Sequence, residues 1–167
     1  MEAGNSRVAD NGGQKGLAVG RSSINPELQI SLAPESDYEA ILALHREAGW
    51  SASRVDGEVW AAWEDGELVG SIQFQEVGSP DVLFVSAMVV RQDARGRGIG
   101  AQMFTAVMAT RQAGWWLECR EERIRFYKRL GFDIVVGVEI PTSVRQLVRP
   151  RTHRQEHFMN RPRDVIT

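Results

Sequence analysis

The sequence predicts an α/β protein of the α+β kind: a central mixed, mostly antiparallel sheet flanked by helices, in the order β-α-β-β-β-α-β-α-β-β. Three observations predict it. Residues 59–63 and 68–74 are β-prone runs separated by Glu64-Asp65-Gly66-Glu67, and Asp-Gly between such runs marks a tight hairpin. Residues 82–90 form a nearly continuous apolar run of the kind covered on both faces of a sheet. Segments with apolar residues at helical spacing are interspersed among these runs instead of being gathered at one end.

The elements follow in order. Residues 28–32, Leu-Gln-Ile-Ser-Leu, alternate apolar and polar as a half-buried strand does. Ser36 or Asp37 can cap a helix carrying Ile41, Leu42, Leu44 and His45, which ends near Gly49. The hairpin comes next. A second turn at Gly78-Ser79-Pro80-Asp81 leads into the central strand at 82–90. A Gly- and Arg-rich loop then opens a helix bearing Met103, Phe104, Val107 and Met108. Trp115-Trp116-Leu117 reads as a short strand, 121–130 as a helix stopped by Gly131, 132–140 as a strand and, after Pro141, 144–148 as the last strand. Residues 1–25 read as a disordered leader, 26–149 as one domain and 150–167 as a basic C-terminal tail with Phe158 and Met159 as early apolar anchors.

Composition narrows the classes. The chain has 167 residues, enough for one domain with a core that needs no disulfide or metal staple. No apolar stretch approaches the roughly 20 residues of a membrane span, and the first residues carry no apolar signal core. One cysteine, Cys119, and three scattered histidines offer no metal-ligand spacing, so no metal and a reducing cytoplasm are expected. The net charge of −2 conceals an uneven distribution: residues 25–90 hold twelve acidic and two basic groups, whereas 91–167 hold fifteen basic and eight acidic. The second half is therefore where an anion would bind.

The segment with chemical content is Arg95-Gly96-Arg97-Gly98-Ile99-Gly100-Ala101, between the buried run and a helix. Glycines let backbone approach a ligand closely, and the first amides of the following helix have no intrahelical partner. Together with the positive helix end they can cradle a pyrophosphate, and Arg95 and Arg97 can add charge-assisted contacts. A P-loop would need a Lys that is absent. Gly96-x-Gly98-x-x-Ala101 also fits a dinucleotide fingerprint, with Glu118 about 20 residues on, although five residues separate Val90 from Gly96 and the flanking hairpins are not successive βαβ units. A plain Gly-rich turn, or a basic segment contacting RNA, is the remaining alternative.

A second element, Phe126-Tyr127-Lys128-Arg129-Leu130-Gly131-Phe132, follows about 30 residues after the loop. With it the chain resembles the GNAT superfamily of N-acetyltransferases over roughly residues 27–149. That family's acetyl-CoA loop reads Arg or Gln, any two residues, Gly, any residue, then Gly or Ala, which Arg95 to Gly100 fill, and its fourth helix ends F-Y-x-K/R-L-G-F. The resemblance implies an acetyl-CoA-dependent acyltransferase domain. The backbone of Met88, Val89 and Val90 would hold the pantetheine arm where the fourth strand splays from the fifth. The amides of Gly96, Arg97, Gly98, Ile99, Gly100 and Ala101, with Arg95, would hold the pyrophosphate. Tyr127 would protonate the departing thiolate, its plain alternative being a place in the apolar stripe with Ile124 and Leu130.

The chain departs from the family where residues 82–90 contain no carboxylate to serve as base. Glu118 is the nearest candidate, with a surface salt bridge as its plain role. Arg120 stands where the family usually has an Asn that contacts the cofactor. Residues 49–58 are too short for a long second helix and suggest an open acceptor site, lined by Trp50 and Trp60 unless these belong to the core. The implied activity is transfer of acetyl from acetyl-CoA to a primary amine, on a small molecule or a protein amino group, by direct attack in a ternary complex. No nucleic acid or membrane partner is implied, and a homodimer is left open. A longer acyl-CoA donor, a CoA-binding regulatory module without activity and a dinucleotide-binding protein are the alternatives.

Overall fold

The computed structural model describes residues 27–50, 54–136, 139–147 and 156–163. The expected leader therefore lies outside the described residues. The chain opens with β1 (Leu28–Leu32), α1 (Tyr38–Glu47), β2 (Glu58–Glu64), β3 (Glu67–Val77) and β4 (Ser79–Val90). It continues with α2 (Ile99–Met108), β5 (Gly114–Arg120), α3 (Glu121–Lys128), β6 (Asp133–Val135), α4 (Thr142–Leu147) and β7 (Glu156–Arg161). The strands form one seven-stranded sheet in the order β1-β2-β3-β4-β5-β7-β6. Only β4 and β5 pair in parallel, joined through α2; every other neighbour is antiparallel. A doubly wound dinucleotide-binding sheet is thereby replaced by a mixed, mostly antiparallel one, the expected class.

Local chemistry accounts for the turns. Between β2 and β3, Asp65 (φ 52°) and Gly66 (φ 80°) both take left-handed backbone, the twist that suits a two-residue hairpin. α2 turns Ile99, Met103, Phe104 and Val107 onto the sheet, where they pack with Ile72, Phe74, Leu83, Trp115 and Leu117, and α3 adds Tyr127 to the same face. The helix lies so close that a Cβ on Gly70 would come within 2.9 Å of Met103. On the opposite face Ile41 of α1 packs against Val59 and Ala61, and Val144 of α4 packs against Val77, Phe84 and Trp116. Among the described residues no helix is long and apolar enough to cross a membrane.

Three expectations are corrected in the last third. Residues 144–147 of the strand expected at 144–148 are helical: Arg145 N donates to Pro141 O at 3.0 Å, and Ile140 and Val144 share one buried cluster at i, i+4 spacing. Of the strand expected at 132–140, the described residues are in a strand at Asp133–Val135, and Val136 is 74% exposed. The final strand comes from the segment read as a basic tail, because Glu156–Arg161 slots between β5 and β6, with Leu117 opposite Met159 and Ile134 opposite Met159 on the other side. Met159 is fully buried there.

Candidate active site

The parallel pairing of β4 with β5 runs from Val82 opposite Gly114 to Val85 opposite Leu117 and stops, although β4 continues to Val90 and β5 to Arg120. A bulge lies at the point of divergence: Phe74 pairs with Val85 and Gln73 with Ala87, leaving Ser86 as the extra residue, its hydroxyl donating to Gln73 O at 3.4 Å. An inserted residue bends a strand and reverses which face later side chains occupy. Leu83 and Val85 face α2 before the bulge; Met88 and Val90 face it afterwards. Beyond the bulge, Arg91 N donates to Val69 O, and Val89 O lies on the β3 side, 3.2 Å from a Cβ built on Gly70. Peptide groups alternate in an antiparallel ladder, so those of Met88 and Val90 point to the side that β5 has left, and those of Val89 point to β3.

The glycine loop sits at the head of this opening. Gly96 (φ 78°) and Gly98 (φ 79°) take left-handed backbone that a side chain would strain, and nothing but the end of Gln102 lies within 4 Å of a Cβ built on either. Gly98 is the N-cap of α2, and the first intrahelical bond runs from Gln102 N to Gly98 O at 3.0 Å. The amides of Ile99, Gly100 and Ala101 therefore precede the first helical donor and point out of the helix end. Ile99 contributes only its amide, because its side chain is buried in the core. A Cβ on Gly100 would contact Phe126 at 3.5 Å, Val90 at 3.6 Å and Met88 at 3.7 Å, so helix start, splayed strand and α3 converge there. Arg95 Nε donates to Val90 O at 2.9 Å, bracing the strand end, and Arg97 pairs with Glu64.

Tyr127 is 9% exposed and meets Phe104, Phe126 and Phe132 edge to face at centroid distances of 6.1, 5.0 and 6.0 Å. Burial pushes its phenol pKa well above the ordinary tyrosine value, so it holds its proton throughout the neutral range. Cys119, on the same sheet face, is pushed up to about 11 by burial and is a thiol, not a thiolate. Glu118 is half-buried on the opposite face, one residue past the end of the β4–β5 pairing. Arg120 caps α3 with extended backbone and stands 3.9 Å from Glu122.

The two tryptophans expected to line one wall are not brought together. Trp60 packs against the α2-side cluster and donates to Glu58 at 2.8 Å, whereas Trp50 stands beside His45 of α1 on the other face. That face carries a buried polar group the sequence does not announce: His45, Ser71 and Gln73 are at most 2% exposed, and His45 Nε2 lies 2.8 Å from Ser71 Oγ. Alternation of polar and apolar residues in 69–74 is the one signal that could have found Ser71 and Gln73. Burial lowers the His45 pKa below its ordinary 6.5, so the folded protein keeps a neutral imidazole while the unfolded chain takes up a proton below about 6.5. Stability is therefore expected to be flat above that pH and to fall below it. Thermal melts should give a lower midpoint at pH 5 than at pH 7.5, and a His45→Gln protein should lose much of that difference.

Residues 55–134 match the family model described as Acetyltransferase (GNAT) domain. No curated protein matches the chain. Among solved structures, N-acetylglutamate synthase from Neisseria gonorrhoeae, complexed with coenzyme A and N-acetyl-glutamate, superposes with a TM-score of 0.71 at 18% identity over 83% of this chain. The match covers 36% of the Neisseria chain, so this protein spans about a third of that enzyme's length. The ribosomal-protein-S18-alanine N-acetyltransferase from Escherichia coli matches with a TM-score of 0.63 at 18% identity, over 84% of this chain and 97% of its own. Arabidopsis thaliana Naa50, in complex with the bisubstrate analogue CoA-Ac-MVNAL, matches with a TM-score of 0.61 at 15% identity, over 80% and 97%. At such identities the superpositions speak for the fold. Joined to the family match over residues 55–134 and to the loop and helix motifs that meet beside Gly100, they lead to the conclusion that this chain carries the fold of the GNAT N-acetyltransferases.

Proposed function

We propose that the protein transfers an acetyl group from acetyl-CoA to a primary amine by direct attack in a ternary complex. The observation that carries this is the opened edge of β4 running into the glycine loop, where Phe126 of α3, the chain neighbour of Tyr127, closes on Gly100. The fit to the cofactor is a matter of shape and donors: Gly96 and Gly98 leave open the space that side chains would fill, and three helix-end amides supply donors for an anion. Two of the superposed proteins carry CoA or a CoA analogue in their structures, which supports the same ligand here.

When bound, acetyl-CoA supplies an activated thioester. The amides of Ile99, Gly100 and Ala101 hold the pyrophosphate, with Gly96, Arg97 and Gly98 shaping the approach and Arg95 holding the strand end in place. The outward peptide groups of Met88 and Val90 bond the pantetheine arm; because Arg95 occupies the Val90 carbonyl, the two amides and the Met88 carbonyl are the groups left for it, and one of the amides faces the growing charge on the thioester oxygen. Val89 contributes packing, since its own peptide groups face β3. The Tyr127 hydroxyl, protonated at neutral pH, donates its proton to the departing sulfur. An amine that arrives uncharged attacks directly and gives up its proton afterwards to Glu118 or to water.

The acceptor is a small-molecule amine or a protein amino group, and the acidic character of residues 25–90 suits a cationic one. The test is thiol release from acetyl-CoA on addition of spermidine, L-glutamate or a peptide with an N-terminal alanine. Acetylated product from at least one is expected; tight CoA binding with no transfer to any primary amine would make the protein a binding module instead.

A salt series gives a second check on the phosphate cradle. Raising ionic strength is expected to weaken acetyl-CoA binding more than binding of an acetyl-pantetheine thioester that lacks the nucleotide, because screening acts on the phosphate contacts alone. Equal slopes for the two ligands would place the phosphates away from the loop.

A further inference from the structure

Resting on the acetyl-CoA reading above, we propose that Glu64 is an internal counter-anion that competes with the cofactor's pyrophosphate for Arg97, and so sets how tightly the cofactor is held. Glu64 is the last residue of β2, immediately before the Asp65-Gly66 turn. Both of its carboxylate oxygens bond the two terminal nitrogens of Arg97, at 2.8 and 2.5 Å. Arg97 lies between the two left-handed glycines and one residue before the N-cap of α2, which puts its backbone next to the amides assigned to the phosphates and those amides within reach of an arginine side chain. A guanidinium fork bonds a carboxylate and a phosphate through the same paired donors. While Glu64 holds that fork, a phosphate cannot.

The neighbouring arginines are committed differently. Arg91 bridges Glu67 at 2.9 Å and Asp93 at 2.7 Å, tying the hairpin to the start of the loop, and Arg95 bonds a main-chain carbonyl. Arg97 is the loop arginine whose partner is an anion on a different element and whose own side chain is 44% exposed, so it can exchange that partner without unpacking anything. Glu64, only 12% exposed, stays in place as the competitor. Exposed ion pairs shift equilibria by factors of about 1.5 to 5. A competitor of that strength leaves binding intact while easing release of the CoA product, which carries the same phosphates as the substrate.

The experiment is calorimetric titration with CoA of the wild-type protein, Glu64→Gln, Arg97→Gln and the double variant, at two ionic strengths. Glu64→Gln is expected to tighten CoA about two- to fivefold and to steepen the salt dependence, with a matching fall in the CoA dissociation rate in stopped flow. In the Arg97→Gln background the same change should alter affinity by no more than about 1.5-fold, because nothing is left to compete for. Equal tightening in both backgrounds would reduce Glu64 to general repulsion and overturn the competition. Unchanged or weaker binding in Glu64→Gln alone would make the pair a brace for the loop, and also overturn it. A wild-type protein that binds no CoA at all would take down the acetyl-CoA reading itself, and this proposal with it.

Discussion

Gly98→Glu is expected to abolish acetyl-CoA binding, with the fold retained. Gly98 caps α2 at φ 79° in open space, so a side chain there meets no core and unfolds nothing. What it does meet is the region in front of the first three helix amides, where the pyrophosphate is assigned. A carboxylate at that place takes those amides for itself and repels the phosphates by about 1 to 4 kcal/mol per charge pair at contact range, depending on how far solvent reaches the site. Left-handed backbone also costs a non-glycine residue about 1 to 2 kcal/mol, which lowers the melting temperature by a few degrees. Gly98→Ala separates the two effects, since it carries the strain without the charge and should keep most of the affinity. Micromolar binding by a folded Gly98→Glu protein would refute the cradle.

Tyr127→Phe is expected to lower kcat by about 10²- to 10⁴-fold with the KM for acetyl-CoA little changed, the pattern of a lost proton donor. The ring keeps its edge-to-face contacts with Phe104, Phe126 and Phe132, so the melting temperature should hardly move. Steady-state kinetics and a thermal melt on this one protein discriminate sharply. Near-normal turnover would confine Tyr127 to the aromatic core, where its burial alone gives it a place. The raised phenol pKa predicts in addition that the wild-type rate shows no alkaline loss from Tyr127 ionisation below pH 10.

How much of this was legible beforehand depended on whether a signal was local. The Asp65-Gly66 turn, the α2 stripe of Met103, Phe104 and Val107, and the loop glycines are specified by neighbours in sequence, and the structure has them at the expected residues. The splay of β4 from β5 is different, because it depends on a bulge at Ser86 that appears only when β3 is laid alongside. Without it the sequence leaves Met88, Val89 and Val90 equivalent, whereas in the structure only alternate peptide groups point outward. Ile140 and Val144 carry no clear period, because two apolar groups four apart, followed by Val148, fit a strand or a helix over so short a stretch. Glu64 was legible only as a hairpin residue; its bond to Arg97 spans 33 positions and carries no sequence signature.

The placement of β7 also dictates an order of events. Among the described residues β6 bonds only β7, and β7 joins it to β5, so the three-residue strand that follows α3 in the chain has no partner there until residues some twenty-five positions later have docked. Half of the molecule can assemble by hairpins whose ends are close together, whereas this corner waits for a long loop to close, a step that is entropically slow. The same dependence operates in reverse in the finished protein. Any opening that peels β7 from β5 releases β6 as well, exposing Met159 and the edge of β5 in one movement, so the amides of this corner should exchange with solvent together as a single cooperative unit, distinct from the β2–β3–β4 hairpins.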